Sequence, residues 1–330
     1  MLIYGAEVCY NGGMKEYVLN YYHKFKCTAQ ECKHTCCAGW GMCIDDNTLC
    51  DYKNNCSEFA PALKKGVDFK RKCFKADKKG RCAFLNENGL CEIIINLGEE
   101  SLCQICRDHP RFRSCFDDRV ETGLGFACEE ATKIILSFEG KIEPVLVNDD
   151  SANEKTSFIQ EQVLKLRQSA LDIIQNREVD INQRLTALLK LVGANVSERD
   201  YKKIIKRFIS LERLEKSWGA RLKVLKKSSL KAFTNDEFAL YCEQFLVNSF
   251  YRFFCEADDV IFGRTVVLAC IFAWWIINSV CHNETALNGE FEGVCDIVRQ
   301  YSAEVEYSQE NVIKLFDFAN RFIVRSGASQ

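Results

Sequence analysis

The stretch FKCTAQECKHTCCAGWGMCIDD, residues 25–46, decides how this chain is interpreted, because it places five cysteines within twenty-two residues. Two of them, Cys36 and Cys37, are adjacent. The surrounding chain continues the pattern: fifteen of the twenty cysteines lie within residues 1–128, among polar and turn-forming residues. A free cysteine usually packs as a small apolar side chain, and these surroundings do not suit that role. Thiolate ligation of zinc or of an iron–sulfur cluster is the better interpretation.

Composition and charge restrict the class of protein. The chain has 330 residues, 47% of them hydrophobic, which is typical of a globular protein with one or two domains. Its formal net charge of −2 gives no general attraction to nucleic acid or to an anionic membrane. Residues 1–18 lack the pattern of a secretory signal, and the longest apolar run, 265–281, predicts a buried helix rather than a membrane span. We therefore expect a cytoplasmic protein with reduced thiols.

The segment RCAFLNENGLCEIII, residues 81–95, predicts a small β-hairpin. Two apolar runs flank a turn that contains Asn88-Gly89, a strong hairpin signal. For a loop of two or of four residues, strand alternation places Cys82 and Cys91 on the same face of the hairpin. A metal would need that arrangement, although two unrelated core cysteines would give the same spacing.

The segment SLCQICRDHPRF, residues 101–112, predicts a short helix that ends before Pro110. Cys103 and Cys106 are three residues apart, so they face the same way on one helical turn. This Cys-x-x-Cys pair is a further candidate for metal ligation. His109 is a candidate nitrogen ligand, but a histidine near a helix end more often serves as an ordinary hydrogen-bond partner.

The two parts of the chain differ in the spacing of their apolar residues. Residues 14–26 carry aromatic side chains at helical spacing and predict a short helix, whereas the region that follows is irregular. From about residue 155 onward, apolar residues recur every three or four positions, which predicts a series of helices. The sequence therefore predicts a mainly α protein: an irregular cysteine-rich metal-binding module with a small β-hairpin over 1–148, followed by an all-α helical domain over 149–330.

The motifs of several common catalytic folds are missing from the sequence. It contains no P-loop, no His-Glu-x-x-His and no Gly-x-Ser-x-Gly. The glycines of VETGLGFAC, residues 120–128, are not followed by alternating strands and helices, so a dinucleotide-binding fold is not indicated. Cys36 or Cys37 with His34 would make a nucleophilic pair, but one nucleophile does not account for so many thiols.

Three ordered blocks give the sequence a resemblance to a known family. The block YYHKFKCTAQECKHTCCAGWGMCID, residues 21–45, contains Phe-Lys-Cys and then Thr-Cys-Cys-x-Gly-Trp. The block over 81–112 contains Cys-x-Phe-Leu, Leu-Cys-x-Ile, Leu-Gly-Glu and a Cys-x-x-Tyr-Pro-Arg pattern in which His109 replaces tyrosine. The block ACEEATKIIL, residues 127–136, is similar to a Cys-Pro-Glu-Ala pattern with Glu129 in place of proline. In this order the blocks resemble the flagellin lysine-N-methylases.

The resemblance implies S-adenosylmethionine-dependent N-methylation of surface lysines on flagellin, together with a cysteine-ligated iron–sulfur cluster of the 4Fe-4S type. Zinc is the alternative metal, since tetrathiolate sites suit both. Because consecutive side chains diverge, the two adjacent cysteines serve either two neighbouring centres or one centre through an irregular backbone. The family's cysteines fall on Cys27, Cys32, Cys36, Cys37, Cys82, Cys91, Cys106 and Cys128.

A broader resemblance to zinc- or iron-chelating cysteine-cluster proteins leaves a second class of function open. Such a module binds metal without being the catalyst. In that case the protein is a metal-binding or redox-sensing module with a helical interaction domain.

Methyl transfer to lysine requires a proton acceptor. A lysine amine has an unperturbed pKa of about 10.4 and must lose a proton before it attacks a methyl group. Asp45 and Glu99 lie within the resembling blocks and are the preferred candidates for accepting the proton or binding the substrate ammonium. The Cys-x-x-x-Cys-x-x-Cys motif typical of radical chemistry is absent: Cys32 and Cys36 have the first spacing, but Gly39 occupies the third position. We therefore expect polar methyl transfer without a radical step.

Overall fold

A computed structural model describes residues 14–39, 41–149, 156–227, 236–284 and 290–324. Trp40 and most of the N-terminal segment tested for a secretory signal lie outside these residues. The chain divides into two compact units: the cysteine-rich unit, which consists of residues 26–111 and 128–130, and the helical unit, which consists of the described parts of 1–25, 112–127 and 131–330. This division differs from the boundary predicted after residue 148, because the chain between 112 and 127 packs within the helical unit.

Helices are the main regular secondary structure of the chain, so the prediction of a mainly α protein is confirmed. The strands are β1 (Lys15–Leu19), β2 (Val67–Asp68), β3 (Cys73–Phe74), β4 (Arg111–Cys115), β5 (Arg119–Leu124) and β6 (Pro144–Asp149). The helices are α1 (Asp46–Asn54), α2 (Ala60–Gly66), α3 (Glu92–Leu97), α4 (Gln104–Asp108), α5 (Glu129–Leu136), α6 (Phe158–Ile174), α7 (Ile181–Leu191), α8 (Glu198–Ser210), α9 (Lys216–Val224), α10 (Asp236–Phe253), α11 (Val260–Asn283), α12 (Phe291–Tyr301) and α13 (Gln309–Asn320).

A four-stranded sheet in the helical unit was not predicted from the sequence. Its strand order is β4-β5-β1-β6, with β1 parallel to β5 and antiparallel to β6. The helix predicted over 14–26 is therefore wrong: Lys15–Leu19 is extended, and only the short 3-10 turn Tyr22–Lys24 is helical. Pairing with strands that are distant in sequence outweighs the local spacing of the aromatic side chains.

The position of Gly123 in the sheet explains why the segment 120–128 contains a glycine there. It lies inside β5, where an added Cβ atom would be 2.5 Å from the ring of Phe112 and 2.8 Å from Leu19. A larger residue does not fit without displacing these side chains. The glycine therefore serves close packing within the sheet, in agreement with the expectation that this segment is not a dinucleotide-binding loop.

Helix α11 is a long and largely buried helix of the helical unit. Every residue from Thr265 to Cys281 is buried, which confirms the buried helix predicted over 265–281. By length and composition α11 could cross a membrane, but the core helix of a soluble protein passes the same test, so this is weak evidence for a span. The described residues from 156 onward form helices joined by loops, as their periodicity predicts.

A buried ion pair joins β5 to α6 within the helical unit. The guanidinium of Arg167 donates two hydrogen bonds of 2.7 Å to the carboxylate of Glu121. The two side chains are only 7% and 1% exposed. An unpaired charge would be costly at this depth, so each partner needs the other.

The cysteine-rich unit has an apolar core of its own. The rings of Phe74 and Phe84 meet edge to face with their centroids 5.3 Å apart, and the ring of Tyr52 lies beside Phe74. Leu63 and Ile93 are buried in the same cluster. This core, together with the sheet of β2 and β3, gives the unit a defined structure despite its irregular chain path.

The hairpin predicted over 81–95 is wrong as a pair of strands, although its turn is present. Gly89 has a φ of +76°, and the side-chain oxygen of Asn86 accepts hydrogen bonds of 3.0 and 2.9 Å from two backbone N–H groups of the loop. The flanking residues form only isolated bridges, one of which joins Leu85 to Cys91. Helix α3 then takes the place of the second strand, because an apolar run of this length suits a helix equally well.

Candidate metal centre

Five thiols come together in the core of the cysteine-rich unit. This inner thiol set comprises Cys37, Cys82, Cys91, Cys103 and Cys106. Cys82 and Cys103 are 8% and 0% exposed, and the other three are partly buried against the same core. The backbone N–H of Cys82 donates a hydrogen bond of 2.8 Å to the carbonyl of Cys37, which holds that loop against the core. The family pattern omits Cys103, and its Cys-x-x-Cys spacing with Cys106 is the sequence signal that could have included it.

Cys103 and Cys106 form a hydrogen-bonded pair at the start of α4. Cys103 is the N-cap residue of that helix, and the backbone N–H of Cys106 donates to its carbonyl at 3.0 Å. The hydrogen bond between the two side chains lowers the pKa of Cys103 and raises the pKa of Cys106. The Sγ atom of Cys106 also lies 3.9 Å from the Sδ atom of Met42. The two thiols therefore face the same way, as their spacing predicts.

Burial keeps Cys82 and Cys91 of the inner set protonated in the absence of a cation. Burial raises the pKa of Cys82 to about 11 and also raises the pKa of Cys91. The neighbouring thiols Cys37 and Cys103 act in the same direction on both. Since metals bind the thiolate form, metal binding here would release protons and would weaken as the pH falls.

Asp45 connects the start of α1 to the start of α4. Its carboxylate accepts hydrogen bonds from the backbone N–H of Thr48 (3.0 Å), the hydroxyl of Thr48 (2.9 Å) and the backbone N–H of Gln104 (2.9 Å). Burial acts to raise the pKa of Asp45, but these hydrogen bonds outweigh it and the pKa is lowered. A carboxylate with three donors and a lowered pKa is a poor proton acceptor. Its geometry suits a positioning role next to Cys103.

Glu99 has a different environment. It is exposed and opens the short 3-10 turn Glu99–Ser101. The hydroxyl of Tyr52 donates a hydrogen bond of 2.6 Å to the carbonyl of Ser101, which ties this turn to the core. The two carboxylates predicted as a pair thus differ: Asp45 is partly buried and engaged as a helix cap, and Glu99 is exposed to solvent.

A second group of thiols lies nearer the surface of the same unit. This outer thiol set comprises Cys27, Cys32, Cys36 and Cys128. The Sγ atom of Cys32 lies 3.2 Å from the hydroxyl oxygen of Thr28. The backbone N–H of Lys33 donates a hydrogen bond of 3.0 Å to the carboxylate of Glu129, which holds the segment that contains Cys128 against this loop. Sequence spacing alone does not place Cys128 here, so the structure supplies that contact.

The adjacent cysteines divide between the two sets. A hydrogen bond between their side chains raises the pKa of Cys36 and lowers the pKa of Cys37, and the hydroxyl of Thr35 lowers the latter further. Cys36 is exposed and interacts electrostatically with Cys27 and Cys128. Cys37 instead packs against the core. The two side chains therefore stay in contact through their hydrogen bond, although Cys36 is exposed and Cys37 packs against the core.

The remaining cysteines have other environments. Eighteen described cysteines are free thiols, but Cys115 is disulfide-bonded, so the expectation of reduced thiols is wrong at that position. Cys242 and Cys270 are fully buried in the helical unit, and burial raises their pKa values well above the ordinary range. His109, the candidate nitrogen ligand, ends α4 and donates its backbone N–H to Ile105 at 3.1 Å.

The inner thiol set suits a thiolate-ligated metal by donor type, number and burial. Cysteine thiolates are the ligands of structural zinc and of iron–sulfur clusters. Within the part of the chain that the structure describes, no group of three or more His, Cys, Asp or Glu side chains is already arranged around a single ion position. The thiols lie instead as neighbours in one core, so binding has to draw them together. A metal bound by these thiols would therefore contribute to the ordering of this unit.

Over about half of its length, the chain is similar to curated lysine-N-methylases, which confirms the resemblance seen in the sequence. Lysine-N-methylase of Salmonella typhimurium is 25% identical over 180 residues, and that of Salmonella choleraesuis is 25% identical over 179 residues; each match covers 51% of this chain and 44% of the relative. Flagellar biosynthetic protein FliU of Salmonella muenchen is 27% identical over 152 residues, 43% of this chain and 83% of that protein. The match spans less than half the length of the two lysine-N-methylases. No family model and no solved structure matches the chain.

Proposed function

We propose that this protein is a lysine N-methyltransferase that transfers the methyl group of S-adenosylmethionine to surface lysines of flagellin. The similarity to curated lysine-N-methylases and to a flagellar biosynthetic protein carries the proposal. The cysteine-rich unit supports it, because the eight cysteines that match the family's pattern all fall within that unit. The chain's formal net charge of −2 is consistent with a protein substrate rather than nucleic acid.

The same proposal includes a cysteine-ligated iron–sulfur cluster, with zinc as the alternative metal. The inner thiol set would hold it, since its thiols are neighbours in a largely water-free core. When bound, such a cluster would cross-link the unit and, through an iron without a protein ligand, would offer a site for the methionine end of S-adenosylmethionine. The chain's own residues then have to position Cys103 and Cys106. Asp45 contributes to this by accepting a hydrogen bond from the backbone N–H of Gln104, the residue after Cys103.

Glu99 is the preferred proton acceptor of the two candidate carboxylates. The attacking lysine must become neutral, and its proton must reach either a carboxylate or water. The carboxylate of Asp45 is engaged by three donors, whereas Glu99 is exposed at a turn tied to the core. Direct displacement on the sulfonium then forms the nitrogen–carbon bond as the sulfur–carbon bond breaks, and S-adenosylhomocysteine leaves.

The test is to load the full chain with iron and sulfide under anaerobic conditions and to incubate it with S-adenosylmethionine and flagellin. Methyl-lysine is then measured by mass spectrometry. We expect methyl-lysine and S-adenosylhomocysteine to form without added reductant. Formation of 5′-deoxyadenosine only with a strong reductant would contradict polar transfer. Glu99→Gln should slow methyl transfer with the metal content unchanged, and Glu100→Gln, an exposed neighbour on the same turn, is the matched control.

A non-catalytic metal-binding or redox-sensing module is the second candidate function. The Cys-x-x-Cys spacing of Cys103 and Cys106 at the start of α4 favours it, because such pairs occur in metal-binding and redox proteins. Binding of S-adenosylmethionine by the purified, metal-loaded chain distinguishes the two. Cofactor binding supports the methyltransferase, and metal binding without cofactor binding or methyl transfer supports the module.

A further inference from the structure

We propose that Cys43 and Cys73 form a reversible disulfide when the chain meets a small-molecule disulfide such as oxidised glutathione. Both are free thiols in the structure, and neither belongs to the inner or the outer thiol set. Neither matches the family's cysteine pattern. The proposal is therefore independent of the metal centre and of methyl transfer, and it assigns a separate site of cysteine modification in the cysteine-rich unit.

The two cysteines face each other across a short antiparallel bridge. On one side of the pair the backbone N–H of Ile44 donates to the carbonyl of Lys72 at 2.8 Å, and an equivalent hydrogen bond of 3.1 Å closes the other side. Cys43 and Cys73 are thus a non-hydrogen-bonded pair, with Cα atoms about 4.5 Å apart and side chains on the same face. A disulfide needs Cα atoms about 4.4–6.8 Å apart. The backbone therefore already holds the two thiols within bonding range.

The two thiols differ in exposure. Cys43 is exposed, whereas Cys73 is half-buried. Burial raises the pKa of Cys73, and the carboxylate of Asp68 and the thiol of Cys43 act in the same direction. Asp68 is the partner of Cys73 in the sheet of β2 and β3, on the side away from Cys43. An incoming disulfide therefore reaches Cys43 first, and Cys73 is placed to attack afterwards.

The reaction consists of two successive thiol–disulfide exchanges. The thiolate of Cys43 attacks one sulfur of oxidised glutathione, so that a mixed disulfide forms and one glutathione thiolate leaves. The thiol of Cys73 then loses its proton to solvent and attacks the sulfur of Cys43, and the second glutathione thiolate leaves. The two cysteines together lose two electrons, and one molecule of oxidised glutathione is reduced to two thiols. No other oxidant is needed.

The link would fasten a segment that lies beside the inner thiol set. Met42 packs in the core, and its Sδ atom lies 3.9 Å from the Sγ atom of Cys106. Asp45, two residues after Cys43, is the N-cap residue of α1 and also accepts a hydrogen bond from the N–H of Gln104. A disulfide would join this segment covalently to β3 and close the intervening chain into a loop. We expect the amides of the bridge to exchange with solvent at least about tenfold more slowly in the oxidised chain.

The experiment treats the full chain, purified anaerobically with its metal, with oxidised glutathione. Free thiols are then alkylated, and linked peptides are identified by mass spectrometry before and after reduction with dithiothreitol. We expect a linked peptide that joins Cys43 to Cys73 and that disappears on reduction. Cys73→Ser should instead trap glutathione on Cys43, because the second thiol is missing. Cys50→Ser removes an exposed thiol of α1 in the same unit, so it is the matched control and should keep the link.

The proposal has three outcomes that would overturn it. The first is wild-type protein in which Cys43 and Cys73 stay free or carry glutathione separately. The second is a link from either cysteine to a third one, because the bridge would then not decide the pairing. The third comes from the same chain unfolded in urea, where all cysteines compete: an equal yield of the link there would show that the folded bridge does not direct it.

Discussion

Replacing Asp45 by alanine tests whether one carboxylate holds two helices of the cysteine-rich unit. The variant loses the hydrogen bonds from Thr48 at the start of α1 and the hydrogen bond from Gln104 at the start of α4. Loss of an N-cap costs about 1 kcal/mol. Leaving the N–H of Gln104 without its partner costs about 1 kcal/mol more. We therefore expect the free energy of opening of α1 and α4 to fall by about 2 kcal/mol.

The assay is hydrogen exchange measured by mass spectrometry on peptides that cover α1 and α4. A loss of about 2 kcal/mol corresponds to roughly 30-fold faster exchange. Asp46→Ala is the matched control, because Asp46 is 76% exposed and its 2.5 Å ion pair with exposed Lys72 is expected to contribute roughly 0–1 kcal/mol. Equal acceleration in both variants, or acceleration confined to α1, would refute the idea that Asp45 stabilises the start of both helices.

The same cap has a defined dependence on pH. Because its hydrogen bonds outweigh burial, Asp45 has a lower pKa in the folded protein than in the unfolded chain. Its contribution to stability is therefore complete above the unfolded pKa of about 3.9 and is lost as the pH falls through the lower folded value. The difference in exchange between Asp45→Ala and the wild type should shrink in that acidic range. A difference that is independent of pH would contradict the assigned role of the charge.

Three further predictions follow from the two units. Cys82→Ser should reduce metal binding and make residues 26–111 more sensitive to limited proteolysis while the helical unit stays resistant; equal cleavage of both units would argue against separate metal-dependent ordering. Glu121→Ala should destabilise the helical unit by about 3–5 kcal/mol in urea denaturation, because it leaves the buried charge of Arg167 unpaired; a loss below about 1 kcal/mol would show that water reaches that charge. In metal-free protein Cys37, whose pKa is lowered, should be alkylated at lower pH than Cys82, whose pKa is raised to about 11. Mass spectrometry measures alkylation of each thiol against pH, and identical profiles would contradict the difference in pKa between the two thiols.

The sequence by itself determined the features that depend on local spacing. The apolar periodicity from about residue 155 onward predicts the helices of the helical unit, and the run 265–281 predicts the buried part of α11. These predictions hold because helical hydrogen bonds and the apolar face of a helix both involve residues three or four positions apart. The density of thiols in the first part of the chain predicts a metal centre without knowledge of the fold, and the ordered blocks predict the similarity to lysine-N-methylases.

Only the tertiary structure decided the features that depend on distant partners. Residues 14–26 satisfy a helical pattern, yet Lys15–Leu19 becomes a strand because β5 and β6 offer it hydrogen bonds on both sides. The run after Cys91 satisfies a strand pattern, yet it becomes α3. For Lys15–Leu19 the local preference is small, on the order of 1 kcal/mol, and long-range pairing outweighs it. For the run after Cys91 the apolar pattern suits either element, so spacing alone does not decide between them.

The division of the thiols was decided in the same way. Spacing predicted that Cys103 and Cys106 face the same way. It could not predict that both pack at the core that contains Cys82. The contact from Lys33 to Glu129, which places Cys128 in the cysteine-rich unit, also joins residues almost a hundred positions apart. Two things decide which cysteines become neighbours: how the chain closes its loops and which side chains are buried away from solvent. Neither is a property of spacing along the sequence.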